Sequence, residues 1–315
     1  MENLIKLSPI VSIVIPCFNH AAFVAEAIKS VLDQSYQNIE LIVLDDGSTD
    51  GTPEVLRKIE GNFFWESHQN MGQALTLNKG WRMAKGSILA YLSADDVLYP
   101  DAVERCVKVL LDNPRAALCY PDFDLINPSS DVIRSVSAPE YSYDEMVIDF
   151  KCAPGVGAFF RQSCYEMAGE WNPELRQHPD YEYWLRLGLH GQFVHLKECL
   201  GGFRVHEESQ SFRSVSAYRG DEPIRIIKSY LERADVPQRI SNQSAIALSN
   251  ASFMAAQTHL RSGLYATAIQ RIYEAARYSI KPFYTSITPY KKIANGLVNK
   301  FAHRLLWKLK GIRRP

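Results

Sequence analysis

Long apolar runs are missing from this sequence. Ile88–Leu92 is typical of the longest, far short of the roughly 20 residues that a membrane-spanning helix needs, so no span is expected. Cysteine pairs are missing too. Cys17, Cys106, Cys119, Cys152, Cys164 and Cys199 are scattered and no CxxC occurs, which argues against a zinc ribbon or a disulfide scaffold and for a reducing compartment. Neither GxxxxGK[ST] nor GxGxxG is present, so P-loop nucleotide hydrolysis and standard dinucleotide binding are disfavoured. Lys6 is followed directly by a strand-like segment rather than by a signal-type apolar stretch, so a cytoplasmic protein is expected. A net excess of charge is absent as well, because 35 Lys and Arg balance 35 Asp and Glu over 315 residues. The balance is uneven, however. No acidic residue follows Glu274, whereas Arg277 to Arg314 carries 10 Lys or Arg.

What is present is an ordinary globular mixture, with 46% apolar and 22% charged residues, so wholesale disorder is excluded. The length favours a main domain with an appendage. Val11–Pro16 and Ile39–Leu44 are β-branched runs of the kind buried in parallel sheets, and Ala21–Leu32 between them has helical apolar spacing. Thr52–Ile59, Gly72–Ala84 and Pro100–Leu111 read as helices, with strands at Phe63–Trp65 and Ser87–Leu92. Alternation of this kind implies a parallel sheet covered by helices. From Ala116 the pattern becomes mixed, with strands expected at Ala116–Ile126, Val132–Val136, Val156–Phe160, Phe193–Leu196 and Leu200–Val205, and helices at Tyr143–Phe150 and Asp180–Leu189. After Phe212 only helical patterns remain, at Pro223–Ala234, Ser241–Arg261, Tyr265–Tyr278 and Ile287–Leu309. The expectation is an α/β domain over residues 1–212 and an all-helical region over 213–315.

Ligands of open α/β sheets collect at the carboxyl ends of the strands. Three polar clusters fall there: Pro16-Cys17-Phe18-Asn19-His20, Asp45-Asp46-Gly47-Ser48 and Ser93-Ala94-Asp95-Asp96. Asp, Gly and Ser also favour plain turns. Two carboxylate pairs at neighbouring strand ends nevertheless repel one another unless a cation or donors neutralise them. Asp95 and Asp96 are hard oxygen ligands suited to Mg²⁺ or Mn²⁺, ions commonly completed by substrate phosphates, so a phosphate-bearing ligand is expected.

VSIVIPCFNHAAFVAEAIKSVLDQSY, IELIVLDDGSTDGT and NMGQALTLNKGWRMAKGSILAYLSADDVLYPDAV, in this order and spacing, resemble the first half of a family 2 glycosyltransferase with the GT-A fold, a Rossmann-like mixed sheet with helices on both faces. Gly157-Ala158-Phe159-Phe160-Arg161, GEWNPELRQHPDYEYWLRL and GGFRVHEESQS resemble its acceptor half. The resemblance runs over about residues 9–212, with the nucleotide-sugar half at about 9–115 and the acceptor half at about 116–212, and stops before the helical region.

The resemblance implies roles. Pro16, Phe18 and Asn19 would lie under the nucleotide, with Phe18 where the family often has Tyr. Asp46 would accept from the base, and Asn70, Gly72 and Asn78 would border sugar and ribose. Asp95 would face ribose or sugar hydroxyls. Asp96, the last Asp of the DxD motif, would hold the metal, with His206 in its sphere. Arg204 would close over the diphosphate, and Asp180 would be the catalytic base. Ser93 departs from the pattern, which often has Asp there, and is a weaker ligand for metal or sugar. The QxxRW motif of processive synthases is absent, since Gln210-Ser211-Phe212-Arg213 is followed by Ser214.

An inverting, metal-dependent enzyme is therefore expected, moving a sugar from a nucleotide-diphosphate donor, UDP favoured, to a saccharide or lipid-linked acceptor in polysaccharide, lipopolysaccharide or glycolipid assembly. The alternative is a non-catalytic nucleotide-sugar or glycan-binding subunit.

Plainer readings stand beside these. Asp180 after Pro179 is also a helix cap. His206 is also a surface histidine, Arg204 a partner for Glu207 or Glu208, and Trp171 and Trp184 core residues. Cys17 is read as packing. In the tail, Leu297, Val298, Phe301, Leu305 and Leu306 share a helical arc flanked by Lys300, Arg304 and Lys310. That arc suits either an anionic membrane surface or docking on the preceding helices. No nucleic-acid reader motif accompanies the charge, so no such partner is expected.

Overall fold

The computed structural model describes residues 8–206, 209, 214–282 and 291. The expected helix at Ile287–Leu309, apart from Lys291, and most of the basic stretch lie outside the described residues. The chain divides into two compact units. One takes the chain up to Tyr141, Cys152–Glu174 and Pro179–His206; the other takes Ser142–Lys151, Leu175–His178 and the chain from Glu207 onward.

The first unit is built on a sheet of nine strands among the described residues. β1 (Val11–Cys17) is buried at every position because it lies between β2 (Ile39–Asp45) and β4 (Ile88–Tyr91), both parallel to it. β3 (Phe64–Ser67) extends the parallel edge beyond β2. α1 (Val24–Leu32) buries Val24, Ala27, Ile28 and Val31, a 3.6-residue stripe. It shares one core cluster with Val11, Ile13 and Ile15 of β1 and with Val103, Val107 and Leu110 of α4 (Ala102–Asp112). α2 (Thr52–Leu56) starts with Pro53 in its first turn. α3 (Gln73–Met83) lies on alternate β1 residues: a Cβ on Gly80 would fall on Val14 and come within 3.3 Å of Leu44 Cδ1, so glycine here lets the helix approach the sheet.

The second half of the sheet reverses direction. β6 (Ala116–Ile126) pairs antiparallel with β7 (Val132–Val136) and with β8 (Phe159–Arg161), and β8 pairs antiparallel with β4. β8 begins later than the sequence pattern suggests because Gly157 turns the chain at φ 81. α6 (Gln162–Ala168) was not foreseen and follows β8 directly. α7 (Pro179–Leu187) precedes β9 (Gln192–Arg204). The two strands expected at Phe193–Leu196 and Leu200–Val205 are one strand. Its register against β6 jumps from Leu196 to Cys199 beside Pro121, where proline has no N–H to offer the ladder. A two-residue strand, β5 (Val97–Leu98), pairs antiparallel with Gly201 and Gly202 of β9. Side chains at those glycines would meet Val156, Ile126 and Val97 at 2.9 Å. The strand order is β3-β2-β1-β4-β8-β6-β9-β5, with β7 on β6.

The second unit is helical: α5 (Tyr143–Ile148), α8 (Ala217–Gly220), α9 (Glu222–Leu231), α10 (Gln238–Ser241), α11 (Ser244–Ser262) and α12 (Tyr265–Tyr278). Ser142 caps α5 by accepting from the Glu145 N–H at 3.2 Å. Asn250 of α11 donates to Ile148 O at 2.9 Å, and α11 ends at Gly263 with φ 78. Glu222, 0% exposed, accepts from the successive N–H groups of Arg176, Gln177 and His178 at 2.9, 2.6 and 3.0 Å. Among the described residues no helix is long and apolar enough to cross a membrane.

Candidate active site

The carboxyl ends of β1, β2 and β4 stand side by side, as their registers require, so the three polar clusters converge. The loops after β1 and β2 are bonded together. Asp46 N–H donates to Cys17 O at 2.8 Å, Asn19 N–H to Ser48 Oγ at 2.8 Å, and Thr49 N–H to Asn19 Oδ1 at 2.8 Å. Asn19 takes a left-handed φ of 58, a conformation Asn tolerates better than most residues. His20 N–H donates to Thr52 Oγ1 at 2.9 Å. Phe18 is left 42% exposed at the rim, while Pro16 is buried inside β1.

Turn chemistry and site chemistry separate within the Asp-Asp pair of β2. Asp45, fully buried, accepts from Ser48 N–H at 3.2 Å and Ser67 Oγ at 2.6 Å, so it closes the turn. Asp46 reaches across to the next loop. Its carboxylate accepts from Met71 N–H at 2.7 Å and Gly72 N–H at 2.9 Å, and its carbonyl accepts from Asn70 Nδ2 at 2.8 Å. Asp46, Asn70 and Gly72 are thus one bonded unit beside Asn19.

The Ser93–Asp96 turn carries the densest electrostatics. Asp96 N–H closes it onto Ser93 O at 3.0 Å. Burial alone would raise the Asp95 carboxyl, but hydrogen bonding to His20 and His206 outweighs burial and holds it below the usual carboxylate range. His206 Nε2 is 3.0 Å and His20 Nε2 3.8 Å from Asp95 Oδ2. Asp96 is 4% exposed. Burial, and then the charge of Asp95, pushes its carboxyl well up, although Arg204 N–H donates to Oδ1 at 2.8 Å. The short β5–β9 pairing sets Arg204 and His206 against this turn.

Three of the expected site residues, Arg204, Asn78 and His206, make extensive contacts within the protein, and His20 joins them. Arg204 is 1% exposed at the end of β9. Its buried guanidinium donates to Asp95 O at 2.6 Å, Asn127 O at 3.0 Å, Pro128 O at 3.2 Å, Ser130 Oγ at 2.9 Å and Glu26 Oε2 at 2.7 Å, a staple under the turn. Asn78 is 1% exposed, and both ends of its amide are bonded to the Trp171 backbone at 2.9 Å, so it ties α3 to that segment. His206 bonds Asp95 and packs on Phe23 with ring centroids 5.0 Å apart. His20, which the sequence placed in the cluster without a role, faces Asp95. Its position directly after Asn19 was the available signal.

Asp180 is the second residue of α7, in a first turn where the helix dipole favours a carboxylate. The proton of Tyr91, at the end of β4, is held on mainly by burial, with the charges of Asp180 and Asp96 adding to it; the two carboxylates therefore act on one group. Burial and then Asp180 raise the Cys152 thiol likewise. Cys17 donates to Leu44 O at 3.5 Å, and burial pushes its thiol up, which suits packing and not nucleophilic attack. Trp171 and Trp184 are 2% and 1% exposed and belong to an aromatic cluster with Trp81, Phe160 and Tyr183, so they are core.

Among the described residues no three His, Cys, Asp or Glu side chains form a metal-binding group. Asp96 still fits a hard divalent cation. One buried carboxylate raised by a neighbouring carboxylate is a site short of positive charge, and Mg²⁺ or Mn²⁺ held by one carboxylate takes its remaining ligands from water and phosphate.

Residues 12–163 match the family described as Glycosyl transferase family 2. A chondroitin synthase of Pasteurella multocida is 29% identical over 241 residues, 74% of this chain and 24% of that one, so the chain spans about a quarter of the synthase. An uncharacterized glycosyltransferase of Rickettsia prowazekii is 31% identical over 63% of this chain and 65% of its own length. Among solved structures, S. aureus TarS 1–349 in complex with UDP-GlcNAc superposes with a TM-score of 0.63 over 94% of this chain and 92% of that one at 15% identity. Mannosyltransferase PcManGT from Pyrobaculum calidifontis in complex with GDP-Man and Mn²⁺ does so with 0.59 over 95% and 89% at 18% identity. The fold is GT-A.

Proposed function

Residues 12–163 form a glycosyl transferase family 2 domain, and from that premise we propose that the protein is an inverting glycosyltransferase. It moves a sugar from a nucleotide-diphosphate donor, a UDP-sugar in preference, to a hydroxyl of a saccharide or lipid-linked saccharide in surface polysaccharide or glycolipid assembly. The observation that carries this reading is the Asp95–Asp96 pair: one carboxylate kept ionised by histidines, the other buried and short of a cation.

In this reading Phe18 and Asn19 lie under the nucleotide, and Asp46 presents the 70–72 loop to it. Asp95 accepts from ribose or sugar hydroxyls. Asp96 would hold Mn²⁺ or Mg²⁺, and such an ion would offset the charge developing on the leaving diphosphate. Asp180 takes the proton of the acceptor hydroxyl as its oxygen bonds to the anomeric carbon. The bond from that carbon to the diphosphate breaks on the opposite face, so the configuration inverts. The P–O–P linkage stays intact and leaves with the nucleotide, because only the bond from the anomeric carbon to oxygen is exchanged.

The test is a thermal-shift panel of UDP-, GDP- and dTDP-sugars with and without Mn²⁺, since a ligand of the folded state raises its apparent stability. A Mn²⁺-dependent shift with a UDP-sugar, lost in Asp96→Ala, is expected. No shift with any donor, or one indifferent to Mn²⁺, refutes the reading. Ser93 favours a second reading, a non-catalytic donor- or glycan-binding subunit, which predicts donor binding without transfer to any acceptor. The basic 277–314 stretch adds a proposed peripheral contact with an anionic membrane from the cytoplasmic side, checked by vesicle co-sedimentation of the chain with and without the residues after Lys291.

A further inference from the structure

The helical unit contains a cavity of about 600 Å³ lined by α8, α9 and α12, within the range of small-ligand sites. Its charge is lopsided. Arg225, Lys228, Arg271 and Arg277 line it against Asp221 and Glu274. Both carboxylates are already engaged. Arg271 holds Asp221 through two bonds of 2.7 and 2.6 Å and Glu274 through two of 2.7 Å, and His259 adds a contact to Asp221 at 2.8 Å.

The other cations are not engaged in this way. No side-chain hydrogen bond or ion pair of Lys228 or Arg277 is found among the described residues. Arg225 lies over the Tyr218 ring at 3.9 Å and donates from Nη1 to Tyr218 O, but its buried Nη2 has no acceptor. A buried guanidinium donor left unmet costs stability unless an acceptor arrives. Tyr218 is 64% exposed, and Tyr278 also lines the cavity. Aromatic faces beside free cations suit a ligand with apolar ring faces and anionic groups.

We propose that this cavity binds a saccharide chain bearing carboxylate or phosphate groups, with Lys228, Arg277 and Arg225 Nη2 taking the anions and a sugar ring lying on a tyrosine. The choice of a saccharide rests on the sugar-transfer reading above and makes the groove a second holding point for an anionic acceptor. The cation cluster itself does not depend on that reading.

The test uses the full chain and four probes: a hexamer of galacturonic acid, neutral maltohexaose, UDP, and vesicles containing phosphatidylglycerol. Calorimetry should show the acidic hexamer binding, weakening with salt, and binding roughly tenfold less tightly in the Lys228→Ala/Arg277→Ala double variant. Maltohexaose should not bind, and donor hydrolysis by the variant should match the parent. Equal binding of acidic and neutral hexamers overturns the proposal, as does an unchanged affinity in the variant. So does a loss confined to UDP or to vesicles, which would assign the groove to a nucleotide or a lipid. Absence of donor hydrolysis in the parent, with the hexamer still bound through Lys228 and Arg277, sinks the transferase reading and leaves the anion site standing.

Discussion

Replacing Arg204 by Met keeps a side chain of similar bulk and removes the guanidinium beneath the Ser93–Asp96 turn. Asp95 O, Asn127 O, Pro128 O and Ser130 Oγ then lose their donor. Glu26 loses a partner too, but its side chain is 46% exposed and can rehydrate. The cost therefore comes from the partly buried oxygens around the buried guanidinium more than from the ion pair. Removing one side of a buried charged network costs about 3–5 kcal/mol, a large share of the roughly 5–15 kcal/mol that holds a typical protein folded. Urea unfolding followed by tryptophan fluorescence should show the midpoint falling by about 1 M or more. Arg204→Lys should recover little, because one ammonium cannot reach acceptors spread around a planar fork. Glu26→Gln should cost about 1 kcal/mol or less. If Arg204→Met instead left the midpoint unchanged and weakened only donor affinity, Arg204 would face the diphosphate after all and the staple would be refuted.

Asp96→Asn should keep the acceptor for Arg204 N–H while removing the charge facing Asp95, so donor turnover should fall by roughly two orders of magnitude or more while the ligand-free melting temperature holds or rises; a clear fall in that temperature counts against the charge-short site. Gly80→Ala gains about 1 kcal/mol of helix propensity but pushes a methyl onto Val14, so overpacking of about 1–3 kcal/mol should win in a denaturation curve, with Val14→Ala as a second change restoring part of it. Glu222→Ala removes a fully buried acceptor from three partly buried N–H groups and should cost about 3 kcal/mol, with Glu222→Gln between it and the parent. Burial, with the Arg261 charge second, lowers His178 to about 4 from 6.5, so the unfolded chain binds the extra proton in that window; stability is full above pH 6.5 and should fall by up to about 3 kcal/mol as pH drops toward 4. Glu222 lies 4.0 Å away and tempers that fall, and His178→Gln should flatten it.

The sheet's parallel half and the meeting of its three polar loops were legible because both follow from local pattern: β-branched runs, helical spacing, and polar residues placed directly after strands. The roles of individual residues were less so, because a role depends on a distant partner. Arg204 and Glu26 lie 178 positions apart, and Asn78 and Trp171 lie 93 apart. No spacing rule within either segment could pair them, so neither the staple nor the clamp was visible in the sequence. The β5–β9 pairing was hidden for another reason. Two residues are too short to give an alternating pattern, although Gly201-Gly202 before Phe203 marked a close backbone approach. Where the sequence left Asp45-Asp46 as one undivided pair, the structure ties Asp45 to its own turn and to Ser67 and Asp46 to the 70–72 loop.

The helical unit gathers Ser142–Lys151 and Leu175–His178 with the chain after Glu207, and this bears on modularity. A gene truncated after the last strand would not release a self-contained catalytic body. It would leave Ile148 O without Asn250 and the 176–178 amides without Glu222, groups that folded in the company of helices no longer encoded. The helices are therefore not a cassette that recombination can exchange at one splice point. The two stretches of chain are constrained to diversify together.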